Sequence, residues 1–156
     1  MQRRDVLQSL TTVAAATAAG LAGCNTTDGD GGGCRTPNGG LEAALPRGNG
    51  FNDPSIDSNN SATEVGGATE HVLGGYTTDD ETYLFVIAEY ESNAAARTAA
   101  STEDNWLSFG YNVTGYVVVD NYTYVAMGAD ETNVTDLMTA AGPLTADCAN
   151  NEISFL

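Results

Sequence analysis

ATEHVLGGYTTDDETYLFVIAEY, residues 68–90, reads as two β-strands joined at Asp79 and Asp80. The second run is rich in aromatic and β-branched residues, the types that fit a pleated, half-buried surface. SNAAARTAAST, residues 92–102, follows as an alanine-rich helix with Ser92 at the N-cap. YNVTGYVVVDNYTYVAMG, residues 111–128, gives a second hairpin turning near Asp120-Asn121. In NVTDLMTAAG, residues 133–142, Asn133 is the expected cap, Val134, Leu137, Met138 and Ala141 form one apolar face, and Gly142-Pro143 stops the helix.

The order is strand, strand, helix, twice. A shift of 41 residues aligns Val72 with Val113, Gly74 with Gly115, Thr82 with Thr123, Tyr83 with Tyr124 and Ala88 with Ala129. It also aligns Thr98-Ala99-Ala100 with Thr139-Ala140-Ala141, and the caps Ser92 and Asn133, which suggests an internal duplication. The economical packing of these elements is an α+β fold of order ββαββα, a four-stranded antiparallel sheet with two helices on one face, over residues 69–156.

Strand periodicity divides the sheet residues between two faces. Leu84, Val86 and Ala88, with Val125, Met127 and Ala129, suit the side beneath the helices. Tyr83, Phe85 and Ile87, with Tyr124, Ala126 and Gly128, form the other, bulky in one half and small in the other. That face is too apolar for open solvent. Its expected cover is residues 41–68, an irregular segment with a short helical turn at Leu41 to Leu45; the alternatives are a protein partner, a second copy of the chain, or a ligand. Tyr83, Phe85, Ile87 and Tyr124 are therefore the candidate binding face.

Composition narrows function further. The formal net charge is −16, and every cation is arginine: Arg3, Arg4, Arg35, Arg47 and Arg97. Such a surface repels nucleic acid and anionic lipid headgroups. The acids are scattered from residue 28 to residue 152 rather than gathered, a distribution that fits adaptation to concentrated salt, where the Debye length falls to about 3 Å at 1 M. Length allows one domain of ordinary size.

At the N-terminus, Arg3 and Arg4 precede an uncharged, alanine-rich run that ends in small residues, the anatomy of an export signal. Polar residues such as Gln8, Ser9, Thr11 and Thr12 interrupt it, against a membrane-spanning helix. Gln2-Arg3-Arg4-Asp5-Val6-Leu7-Gln8 resembles a twin-arginine translocation motif, and Leu21-Ala22-Gly23-Cys24 resembles a lipobox. Both resemble the signals of exported lipoproteins from halophilic archaea. The resemblance covers about the first 24 residues and implies a signal peptide at 1–23, cleavage before Cys24, and a lipid on its sulfur. Residues 24–40 then read as a lipidated, glycine- and aspartate-rich tether, and the expected location is the external face of the cytoplasmic membrane.

With Cys24 lipidated, Cys34 and Cys148 remain as an even pair in an oxidising compartment, so a disulfide between them is expected. Asn25, Asn59, Asn112, Asn121 and Asn133 each open an Asn-x-Ser/Thr sequon and are candidate glycosylation sites.

Catalytic signatures are missing from the sequence. His71 is the single histidine, which leaves a serine triad no other base and excludes a blue-copper site. No nucleophile elbow, metalloprotease helix or phosphate loop occurs. Asp79, Asp80 and Glu81 at one hairpin tip, and Asp130, Glu131 and Asp136 around the second helix start, read as solvated or cap-supporting carboxylates, and Arg97 as a salt-bridge partner for a nearby acid. No cofactor or metal is expected. The function expected is a non-enzymatic binding or accessory domain, or else a passive glycosylated envelope protein, tethered to the membrane by the lipid on Cys24.

Overall fold

The computed structural model describes residues 33–48, 50–58 and 65–156. It is an α+β fold whose described residues form one antiparallel sheet of six strands and four α-helices. The strands are β1 Ser55–Ser58, β2 Glu70–Thr77, β3 Thr82–Glu89, β4 Val113–Val119, β5 Tyr122–Gly128 and β6 Ser154–Phe155, in spatial order β1-β2-β3-β5-β4-β6. The helices are α1 Asn93–Ser101, α2 Asp104–Leu107, α3 Glu131–Thr139 and α4 Ala146–Glu152, with a single 3₁₀ turn at Glu42–Ala44.

The four expected strands form the centre of this sheet. Thr77 pairs with Thr82 and Val119 with Tyr122, which centres the first hairpin between Asp79 and Asp80 and the second between Asp120 and Asn121. Those centres obey the 41-residue shift. Asp120 takes the positive φ, 53°, that a two-residue hairpin turn demands, and Asp tolerates it better than a β-branched residue would. Two short edge strands extend the four-stranded core to six: β1 pairs with β2 and β6 with β4.

The helices do not share a face. Ala96 and Ala99 of α1 pack with Val86, Ala88, Val125 and Met127, whereas Val134, Leu137 and Met138 of α3 pack with Phe85, Tyr124 and Ala126 on the opposite side. The reason lies in the connections. Ser92 caps α1, its Oγ accepting from the Ala95 amide at 3.1 Å, as expected. The cap of α3 is Asp130, whose Oδ1 accepts from the Asn133 amide at 2.9 Å, so Asn133 sits inside the helix rather than at its cap. Relative to the repeat, α3 therefore starts three residues early. Because strand side chains alternate with a period of two, an odd displacement sends the chain off the other face.

Each face has cover fitted to its side chains. Alanines let α1 lie close to the sheet, and the one-turn α2 delivers Trp106 into the same layer, its Nε1 donating to the Ala100 carbonyl at 3.0 Å. On the other face the small half, Gly115, Ala126 and Gly128, receives α3. A Cβ on Gly115 would come within 2.9 Å of Val134 Cγ1, and one on Gly128 within 3.3 Å of Val134 Cγ2. The bulky half lies under the N-terminal segment, where Leu41, Ala44 and Leu45 join the core and Phe51 packs edge-on against Tyr76 and Tyr83 with ring centroids 6.1 and 5.8 Å away. Burying side chains such as Leu137 and Met138 contributes roughly 1.5–3 kcal/mol each.

Candidate functional site

The candidate binding face is a buried core. Tyr83 is 2% exposed, and Phe85, Ile87 and Tyr124 are 0% exposed. The sheet face is closed by the chain itself. Part of the expected cover, residues 41–45 and Phe51, is present; the rest is α3, expected on the opposite side, and α4, a helix the sequence did not signal. The hydroxyls of this layer point into the chain's own backbone. Tyr76 donates to the Pro46 carbonyl and Tyr124 to the Arg35 carbonyl, each at 2.8 Å. Tyr83 donates to the Glu81 carboxylate.

Burial holds the phenols of Tyr76, Tyr90 and Tyr124 above the ordinary tyrosine value. Tyr83 is pushed up to about 12, first by burial and then by its hydrogen bond to Glu81.

Cys34 and Cys148 form a disulfide, with Cα atoms 5.2 Å apart and 114 residues between them in sequence. It fastens the first described residues to α4, whose N-cap Thr145 accepts from the Cys148 amide at 3.1 Å. The backbone reinforces the same seam, since the Arg35 amide donates to the Pro143 carbonyl at 3.0 Å.

The sequons differ in how free they are. Asn121 is part of the second turn, and its Nδ2 donates to the Tyr90 carbonyl at 2.9 Å and to Glu89 Oε1 at 3.2 Å. Asn133 Nδ2 donates to Asp130 Oδ2 at 2.7 Å and reaches Glu81 Oε2 at 3.4 Å. Asn112 is exposed at the bend before β4. Cys24, Asn25 and Asn59 lie outside the described residues.

The acidic groups meet through these contacts. Glu81 from the first turn and Asp130 from the start of α3 share Asn133 as a donor, so the two expected clusters converge at one end of the sheet. Among the described residues no three or more His, Cys, Asp or Glu side chains are grouped to hold a metal ion. His71 is half-buried on β2 opposite Ala88. The ion pair expected of Arg97 does not form among the described residues, whereas Arg47 pairs with Asp53 at 3.9 Å. Arg97 Nε instead donates to Asn93 Oδ1 at 3.0 Å, and its side chain lines a cleft of about 330 Å³ with Ser101, Tyr116 and Glu152.

A larger open cleft, about 420 Å³, lies between the first hairpin turn and the α2–β4 loop, lined by Asp80, Glu81, Thr82, Phe109, Tyr111 and Asn112 among others. The available signal was the run Phe109-Gly110-Tyr111-Asn112 between a helix and a strand, where no periodicity assigns the rings to a core. No protein-family model, curated protein or solved structure matches this chain.

Proposed function

We propose that the chain is an exported, lipid-anchored domain of non-enzymatic role, held through Cys24 on the external face of the cytoplasmic membrane. The disulfide between Cys34 and Cys148 carries this reading. Stable disulfides belong to oxidising compartments, and glutathione and thioredoxin keep such pairs reduced in most cytosols. The first bridged cysteine lies ten positions beyond the lipobox cysteine, so the residues between them serve as the tether and the disulfide seals the body that the tether carries.

Within that reading, the closed sheet face favours the passive envelope role over recognition through the sheet. An accessory contact, if the domain makes one, uses the outer surfaces of the helices, turns and clefts. The 41-residue correspondence of the two hairpins supports an internal duplication in which the second helix begins three residues earlier in the shared register and so leaves the sheet on the other side.

Fractionation of a haloarchaeal host producing the full chain tests the location. The expected result is a membrane-associated protein, cleaved by protease added to intact cells, with Cys34 and Cys148 oxidised in non-reducing peptide maps. A cytosolic chain with both thiols free overturns the reading.

A further inference from the structure

We infer that Asn112 is an N-glycosylation site, and that among the described sequons it alone accepts a glycan without breaking the fold. This rests on the exported reading above, because the sugar donor and its transferase act outside the cytoplasm.

The three described sequons offer the same chemistry and different geometry. A glycan replaces one of the two hydrogens on the asparagine Nδ2. Both hydrogens of Asn121 are engaged, at 2.9 and 3.2 Å, in holding the hairpin turn against Tyr90 and Glu89. Asn133 uses its Nδ2 to tie Asp130 to Glu81 at the start of α3. Modification at Asn121 strips a donor from partly buried acceptors, and at Asn133 it disturbs the link between Asp130 and the half-buried Glu81. Asn112 is exposed, and its Nδ2 makes no hydrogen bond among the described residues.

A second observation points the same way. Asn112 opens onto the 420 Å³ cleft that Phe109 and Tyr111 line. Gly110, at φ 80°, turns the loop between them. Aromatic faces beside a sequon give the axial C–H groups of the first sugar an apolar platform, and the neighbouring Asp80 and Thr82 offer hydroxyl partners.

In the step itself, Asn112 Nδ2 forms a bond to the anomeric carbon of a polyprenyl-phosphate-linked sugar. The anomeric carbon–oxygen bond to phosphate breaks, the lipid phosphate leaves with the electron pair, and the amide proton passes to a base of the transferase.

Glycopeptide mapping of the full chain purified from haloarchaeal membranes tests the assignment, with the N-terminal peptide sequenced in the same digest. The expected result is a glycan on the Asn112 peptide, bare Asn121 and Asn133 peptides, and loss of the glycan mass from Asn112→Gln. A processed chain beginning at Cys24 with Asn112 bare, or with the glycan on Asn121 or Asn133, overturns this inference and leaves the exported reading standing. An unprocessed cytosolic chain overturns both.

Discussion

Gly128→Ala tests how α3 comes to lie against the sheet. Gly128 ends β5 on the small half of the buried face, and a Cβ there would sit 2.6 Å from Tyr83 Cδ1 and 2.9 Å from its Cε1. The ring cannot easily yield, because Glu81 holds its hydroxyl and the Phe51 ring lies edge-on at 5.8 Å. Val134 on the other side is β-branched and fixed in one helical rotamer. Overpacking of this kind costs about 1–3 kcal/mol, and loss of glycine freedom in the unfolded chain returns about 0.4–1 kcal/mol. The net is roughly 1.5 kcal/mol, or about 5–9 °C in Tm for a domain of this size. Gly115→Ala also falls, since a Cβ there meets the same fixed Val134 at Cγ1, 2.9 Å away, although Ile153 Cδ1 at 2.9 Å is a movable side-chain end. Gly142→Ala meets nothing within 4 Å and matches or exceeds the parent. Thermal denaturation followed by circular dichroism in molar salt ranks the three. A Gly128→Ala protein as stable as the parent, or Gly142→Ala as the least stable, refutes the packing argument.

Other perturbations have outcomes fixed by the same structure. Replacing Cys34 and Cys148 by alanine opens a loop of 114 residues and lowers stability by up to about 5 kcal/mol in the chain-entropy treatment; an unchanged denaturant midpoint contradicts it. Tyr76, Tyr83, Tyr90 and Tyr124 keep their protons in the folded state above the pH at which the unfolded chain releases them. Stability is therefore fully present below about pH 10 and declines as pH rises toward 12, because the unfolded state then binds fewer protons; denaturant midpoints that stay level from pH 9 to pH 11.5 refute it. Removing salt unscreens a formal net charge of −16, so Tm falls from molar to dilute salt, and equal values remove the salt-adaptation argument.

The central sheet was legible because its signals are local. Alternation in β3 and β5, a two-residue turn at Asp120-Asn121 and the Ser92 cap each depend on a few adjacent residues. The buried stripe Val134, Leu137, Met138 and Ala141 was equally readable from its helical spacing. The side to which that stripe turns was not. It depends on whether Asp130 or Asn133 caps α3, and both residue types cap well, so three positions of ambiguity became the wrong face. Edge strands escaped for a different reason. Ser55–Ser58 is exposed along its length and Ser154–Phe155 is only two residues long, so neither carries an alternating pattern. In α4 only Cys148 and Ala149 are buried, too few to mark a helical face. The apolar character of the candidate binding face was legible, but only part of its cover was, because residues 41–45 were expected there and α3 was not. Sequon spelling made five asparagines equivalent, and only the hydrogen bonds of Asn121 and Asn133 separate them from Asn112.

Lipid attachment at Cys24 is the centre of the account, and the intact mass of the protein extracted from its membrane by detergent measures it. The predicted result is a chain starting at Cys24, heavier than its sequence by a two-chain thioether lipid and two daltons lighter than the fully reduced form for the Cys34–Cys148 bridge. A chain that retains Met1, or one that begins at an unmodified Cys24, contradicts the anchor and with it the proposed place of this domain on the cell surface.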